Sequence, residues 1–416
     1  MKYNKVKEKI KALLIWSQKY TKTDMIYLAK GGFWLTLGQV VSSGSSFFLA
    51  IAFANLLPKE TYGVYKYVIS ILGILSIPTL LGMSTAITQA VARGYDGSLI
   101  PAVKTKIYWG LLGSLASIIL AGYYYLQSNN ILAVAFLISS IFLPFMDAFS
   151  IYESFLQGKK LFGTFTKFNI ISQITAVVLM LGTLFFTKNV LLLLFTYFLS
   201  WIIIRFIFFK YSLKKINANQ NQDTNTISYG KHLSLMGIVS TIANGFDKLL
   251  IFHYLGAPEV AIYSIAIAPV EQIKGMIRNI NFLVLPKFSQ KSREEIKNTI
   301  SRKIILLVIF LLFITIIYIS FAPIIFKWIF PIYPESIFLS QLFALSLVTT
   351  ALFMPYTALQ SQIAKKELYL FNFLNPTIQI CLLFIGINWG GLVGVIVARI
   401  LTRFLNFFLV YLLIKQ

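Results

Sequence analysis

The chain has 416 residues, of which 57% are hydrophobic and 12% charged, and its formal net charge is +23. A composition this apolar excludes a soluble globular protein of this length and points to a polytopic membrane protein. The positive charge is no nucleic-acid signal, because the chain has no soluble module to carry such a site.

Apolar runs recur at 33–57, 64–87, 107–126, 131–152, 170–186, 189–209, 233–255, 260–285, 304–326, 337–359, 368–387 and 391–413. Each is close to the roughly 20 residues that carry a helix across about 30 Å of hydrocarbon. They are continuous rather than alternating, which excludes a transmembrane β-barrel. The expected fold is therefore all-α: twelve transmembrane helices in two six-helix lobes.

Residues 1–30 form a basic segment with no cleavable leader pattern. It reads as a solvated tail or as a basic helix on the membrane surface. Lysine and arginine then fall in alternate loops: Arg93, Lys104 and Lys106, then Lys159 and Lys160, then Lys210, Lys214, Lys215 and Lys231, then the cluster from Lys287 to Lys303, then Lys365 and Lys366. The intervening loops hold only Lys59, Lys188 and Lys327. The positive-inside rule then places both termini in the cytoplasm.

The first lobe is assigned to 31–210 and the second to 231–416. The polar, Asn/Gln/Thr-rich stretch 211–230 between them is a cytoplasmic linker. A shift of 198 residues carries Gly32 onto Gly230, Leu57 onto Leu255, and Gly63-Val64-Tyr65 onto Ala261-Ile262-Tyr263. Two six-helix copies in the same orientation form a parallel repeat, a plan in which the substrate site lies between the halves. Small residues crowd the first helix (Gly38, Ser42, Ser43, Gly44, Ser45, Ser46) and suit close helix packing. Pro78, Pro144, Pro269 and Pro355 mark bends, Pro269 being two residues before Glu271. Cys381, alone in an apolar helix, reads as a packing residue.

The charges inside the helices carry the functional signal, since each costs roughly 3 kcal/mol on insertion scales. A rise of about 1.5 Å per residue puts Lys66, Asp247, Lys248 and Arg399 at one depth, below the outer surface. Glu271, Lys274 and Arg403 then fall near the middle, and Asp147, Lys167, Arg205 and Arg278 in the inner half. Glu271, Lys274 and Arg278 share one helix face, and Arg399 and Arg403 share another. The net positive interior suits an anionic substrate, which Lys and Arg bind well. The expected substrate-binding cations are Lys248, Lys274, Arg399, Arg403, Lys66 and Arg278, and the expected ion-coupling acids are Glu271 and Asp247. No nucleotide loop, nucleophile elbow or His/Cys metal pattern is present, so no enzyme, metal or cofactor is expected.

Three stretches resemble a known family. Gly-Gly-Phe-Trp-Leu-Thr-Leu-Gly-Gln-Val-Val-Ser (31–42), Leu-Leu-Pro-Lys-Glu-Thr-Tyr-Gly-Val-Tyr (56–65) and Ala-Asn-Gly-Phe-Asp-Lys-Leu-Leu-Ile (243–251) are similar to polysaccharide flippases of the Wzx type, in the MOP superfamily. Ala261 departs from the glycine frequent before the second tyrosine. The resemblance implies a MATE-like V of two lobes in a bacterial cytoplasmic membrane. It implies transfer of an undecaprenyl-diphosphate-linked oligosaccharide to the outer leaflet, with H⁺, Na⁺ or no ion as the driving partner, beside polysaccharide polymerase or assembly proteins. The rivals it leaves are a lipid II flippase, a multidrug/cation antiporter and a passive scramblase.

Overall fold

The computed structural model describes residues 25–216, 218–278, 293–361 and 365–415. Most of the basic N-terminal segment lies outside them. Every regular element among the described residues is helical.

The first half of the chain runs α1 (Met25–Leu56), α2 (Lys59–Leu75), α3 (Met83–Ala92), α4 (Leu99–Leu126), α5 (Asn130–Met146), α6 (Ile151–Gly158), α7 (Phe162–Phe186) and α8 (Val190–Lys215). The second half runs α9 (Thr226–Met236), α10 (Ile238–Leu255), α11 (Ala257–Arg278), α12 (Arg293–Ile329), α13 (Ser336–Ala344), a 3₁₀ stretch Leu345–Leu352, α14 (Phe353–Ser361) and α15 (Lys365–Lys415).

Nine of the described helices are long and apolar enough to cross a membrane. Two bent pairs raise the number to as many as eleven: α2 with the stretch through α3, bent by 48°, and α9 with α10, bent by 42°. The first bend falls at Pro78, inside the 3₁₀ turn Ile77–Thr79. Pro269 is buried within α11, which continues through it.

The longest helix, α15, leaves helical geometry at Gly390 and Gly391. A Cβ on Gly394 would stand 1.9 Å from the carbonyl oxygen of Gly386. In a straight helix those residues would be about 12 Å apart. The chain therefore doubles back here, and glycine at both positions permits backbone-to-backbone contact. Counted as two helices, α15 brings the spans to as many as twelve.

The largest buried cluster lies between the two halves. It joins Phe53, Tyr62, Tyr65 and Val68 of α1 and α2 to Val260, Tyr263, Ile267, Tyr333 and Phe343. Helix α2 packs on both α10 and α11. The contact with α11 requires Gly63, whose added Cβ would meet the Ala257 carbonyl oxygen at 1.7 Å. Deeper along the same helix, the Ser70 hydroxyl donates to the Gly245 carbonyl at 3.1 Å. At the end the charge rule calls outer, Asn55 donates to the Ile329 carbonyl at 2.8 Å and Lys59 pairs with Glu335 at 2.9 Å. The two halves are closed together there.

At the opposite end the polar linker packs back on the first half. The Gly97 N–H donates to the Asn221 carbonyl, the Asn219 N–H to Asp96, and the Asp223 N–H to the Ser98 hydroxyl. Apolar side chains elsewhere face outward, as on α12, where Ile305, Ile309, Phe313 and Ile316 are exposed. Such a surface suits lipid.

Lys104 and Lys106 are no loop residues: both lie in α4, and Lys106 is 1% exposed. Cys381 packs against nothing that buries it and is exposed on the surface of α15.

Candidate functional site

The charged site is assembled from three helices that the sequence places far apart. Helix α10 brings Asp247 and Lys248, α11 brings Glu271 and Lys274, and α15 brings Arg399 and Arg403. Within α15 the two charges are one turn apart and reach two successive tiers along the bundle, while the α11 pair shares the second tier.

In the first tier Asp247 is fully buried. Its carboxylate accepts from the Lys248 N–H at 2.8 Å, the Tyr263 hydroxyl at 2.6 Å and Arg399 Nη1 at 2.5 Å. Arg399 Nη1 also donates to the Tyr263 hydroxyl at 2.9 Å. Three donors, one of them a guanidinium, satisfy a charge that burial alone would make very costly.

In the second tier Glu271 accepts from Arg403 Nη2 at 2.5 Å, with Lys274 Nζ at 4.0 Å. Lys274 and Arg403 both donate to the Ser346 hydroxyl, at 2.5 and 3.1 Å. Ser346 sits in the 3₁₀ stretch Leu345–Leu352. Threefold winding puts Ser346 and Thr349 on one line, facing the charges.

Phe343 stands between the tiers. Its ring centroid lies 4.6 Å from Lys274, 4.7 Å from Arg403 and 5.7 Å from Arg399. The ring's negative face partly offsets the crowding of three cations. The second tier borders a cavity of about 380 Å³ whose lining includes Glu271, Lys274, Thr349, Asn375, Arg403 and Asn406.

Lys66 and Lys248 differ from these paired groups. Neither ammonium has a carboxylate partner among the described residues. Lys66 rests over the Tyr62 ring at 5.3 Å, and it comes from the first half of the chain to within electrostatic reach of Lys248. The side chain of Arg278, the last residue of α11, lies outside the described residues.

The structure thus gathers Asp247 with Arg399, and Glu271 with Lys274 and Arg403. The grouping by helix depth anticipated these sets. Sequence reasoning missed Tyr263, Phe343, Ser346 and the facing pair Asn375 and Asn406. Tyr263 carried a signal, as the repeat partner of Tyr65. Phe343 carried none, being one of 37 phenylalanines.

The first half also holds charge. Arg205 donates to the Met146 carbonyl at 2.8 Å, lies 3.8 Å from Asp147 and covers the Trp201 ring at 4.7 Å. Lys106 and Glu153 complete that group. Two bases against two acids leave it balanced, whereas the second-half site has Lys248, Lys274, Arg399 and Arg403 against Asp247 and Glu271.

A closed set of long apolar helices around a charged interior defines a membrane-transporter fold. It is similar to an inward-facing multidrug resistance MATE family transporter of the MOP superfamily, with 14% identity over 94% of this chain and 97% of that one and a TM-score of 0.67. An outward-facing multidrug resistance MATE family transporter matches at 14% identity over 93% and 95%, with a TM-score of 0.61. A MOP superfamily transporter from Pyrococcus furiosus, described as having a binding pocket of reversed polarity, matches at 14% identity over 94% of each chain, with a TM-score of 0.58. No curated protein matches the sequence. The chain belongs to the polysaccharide biosynthesis protein family, whose sequence pattern matches residues 28–292.

Proposed function

We propose that the protein flips an anionic lipid-linked oligosaccharide, with an undecaprenyl-diphosphate head, from the cytoplasmic to the outer leaflet of a bacterial cytoplasmic membrane. The observation that carries this reading is the excess of cations inside the bundle, where the ammonium groups of Lys66 and Lys248 have no carboxylate partner among the described residues. A diphosphate satisfies such groups, and in a dry site it does so strongly. The family's tie to polysaccharide biosynthesis supports the same reading.

A multidrug/cation antiporter fits less well. A cationic drug needs a carboxylate, and both acids of the site are already engaged by arginine. A lipid II flippase shares the diphosphate, and only the sugar separates the two.

Alternating access between two six-helix lobes is the mechanism proposed, with H⁺ or Na⁺ as the driving ion. The closed end at Lys59–Glu335 supports a resting form open to the cytoplasm. The better fit to the inward-facing relative agrees. Glu271 is the stronger coupling candidate. Its side chain is 30% exposed beside a cavity, whereas that of Asp247 is 1% exposed and saturated with donors.

Lys248→Met tests the reading, because the side-chain donors to the buried Asp247, Arg399 and Tyr263, remain in the variant. The variant is expected to reach the membrane at normal level while export of the lipid-linked sugar, followed by surface labelling, is lost. Unchanged export would overturn the cationic-site reading.

A further inference from the structure

Two spans break near the inner end of the bundle, one in each half. The α2–α3 span bends by 48° at Ile77–Thr79, and the α9–α10 span by 42° at Gly237. The short pieces beyond the breaks, α3 and α9, are fastened to each other. The Gly82 N–H donates to the Ser234 hydroxyl at 3.0 Å. An added Cβ on Gly82 would stand 2.6 Å from the Ser234 nitrogen, and one on Gly230 would stand 2.6 Å from Met83 Sδ. Lys231 of α9 also covers the Trp109 ring of α4, at 5.1 Å. Upstream of α9 the linker is bonded to Asp96, Gly97 and Ser98.

The two breaks differ in their surroundings. Leu80 has a left-handed backbone at φ 59° and is buried in one apolar cluster with Met83, Ile87 and Val91, so the first bend is packed in place. Gly237 has no such packing. Among the described residues its added Cβ would meet only carbonyl oxygens of the turn before it, at 3.5 and 3.8 Å. No side chain caps the start of α10 either. Beyond Gly237, α10 is held by the second half, where Gln379 Nε2 donates to the Ala243 carbonyl at 2.8 Å and Arg399 pairs with Asp247.

We propose that α9 moves as part of the first half, that Gly237 is the hinge on which the second half swings, and that the α3–α9 seam stays closed in every state. The proposal rests on the alternating-access reading and adds the boundary between the moving bodies. A hinge needs residues at an element end that change φ and ψ without loss of packing, and a glycine with no packed neighbour meets that need. A seam with no room for a Cβ is close-packed and does not deform by small steps. The boundary therefore falls after α9 rather than within the linker at 211–230, and the inner end opens on the flank away from this seam.

Spin-label pairs on full-length Cys381→Ser protein in nanodiscs read these motions. Gln89 and Tyr229 line one small cavity from α3 and α9, so labels there span the seam. Labels at Tyr229 and Asn244 span Gly237. Distances are compared between the parent and Glu335→Gln, which removes the outer bridge, with and without citronellyl diphosphate, a soluble short-chain prenyl diphosphate. The Gln89–Tyr229 distance is expected to stay the same throughout, while the Tyr229–Asn244 distance shifts in Glu335→Gln. A shift across the seam, or none across Gly237, would overturn the proposal. In a second measurement, Gln89→Cys/Tyr229→Cys joined by a short bismaleimide should keep export of the lipid-linked sugar, whereas Lys59→Cys/Glu335→Cys joined in the same way should lose it. Loss of export on joining the seam would also overturn the proposal. If the distances behave as expected but the unjoined protein exports no lipid-linked sugar, the hinge stands and the flippase reading falls.

Discussion

Arg399 and Asp247 lie 152 residues apart in sequence and meet at 2.5 Å inside the second half of the bundle, bridged by the Tyr263 hydroxyl. The pair ties α15 to α10 and leaves little of the Asp247 carboxylate for any ligand. Its first duty is therefore to the fold. Breaking such a pair from one side strands a buried charge, at a cost of about 3–5 kcal/mol. Arg399→Gln or Asp247→Asn alone is expected to lower the midpoint of thermal unfolding in detergent and to reduce the amount of protein in the membrane. The double variant should recover much of the loss, because no lone charge remains. Losses that simply add in the double variant would show that the pair is not coupled.

The contact between the halves depends on a missing side chain. Gly63 faces the Ala257 carbonyl so closely that a Cβ would stand 1.7 Å from it, and backbone cannot give way as a flexible side chain would. Gly63→Ala is expected to separate α2 from α11 and to cost about 1–3 kcal/mol, the range for overpacking. Spin labels at Ser128 and Asn388, in a Cys381→Ser background, would report the distance between the outer turns of the two halves. A longer distance in the variant is expected, and an unchanged distance together with unchanged stability would contradict the packing argument.

The same end of the bundle was legible in the sequence only in part. The Leu57-Pro58 to Tyr62-Gly63 turn stands out because proline and glycine punctuate it, but nothing local says that Gly63 meets Ala257. Helix placement followed from hydropathy alone, since each span must be apolar over its whole length. The charged tiers followed from helix rise and periodicity, because Glu271 with Lys274 and Arg399 with Arg403 need only one helix each to align. Pairing across helices, as between Arg403 and Glu271, is a tertiary fact with no local signature. Lys106 was misplaced for a related reason: basic residues near a helix start look like loop charges, and only packing of α4 buries this one.

Lys59 and Glu335 close the outer end from opposite halves, at 2.9 Å. The Lys59 bond holds the Glu335 carboxyl below the usual glutamate range. A carboxyl lowered in this way contributes above its unpaired range and loses its contribution as pH falls through the lowered value. The bridge should therefore be intact at neutral pH and open only in strong acid. Both groups face water, so the effect on stability is small and screened by salt. Glu335→Gln is expected to lengthen the mean distance between the outer-turn spin labels at neutral pH to the value the wild type reaches only in acid. A wild-type distance that already changes between pH 8 and about pH 6, above the carboxylate range, would rule out this bridge as the cause.

Glu271 is the acid proposed to carry the driving ion. It shares Arg403 and Lys274 with the Ser346 hydroxyl, and its side chain borders the 380 Å³ cavity. An incoming diphosphate would compete with the Glu271 carboxylate for Arg403 and Lys274, so binding of the anion and the ion pairing of Glu271 would be linked. Glu271→Gln removes the titrating group while keeping its size. In vesicles with an imposed pH gradient, the variant is expected to transport at a rate that no longer depends on the gradient, with citronellyl diphosphate binding retained. Transport by the variant that still rises with the gradient would clear Glu271 of the coupling role.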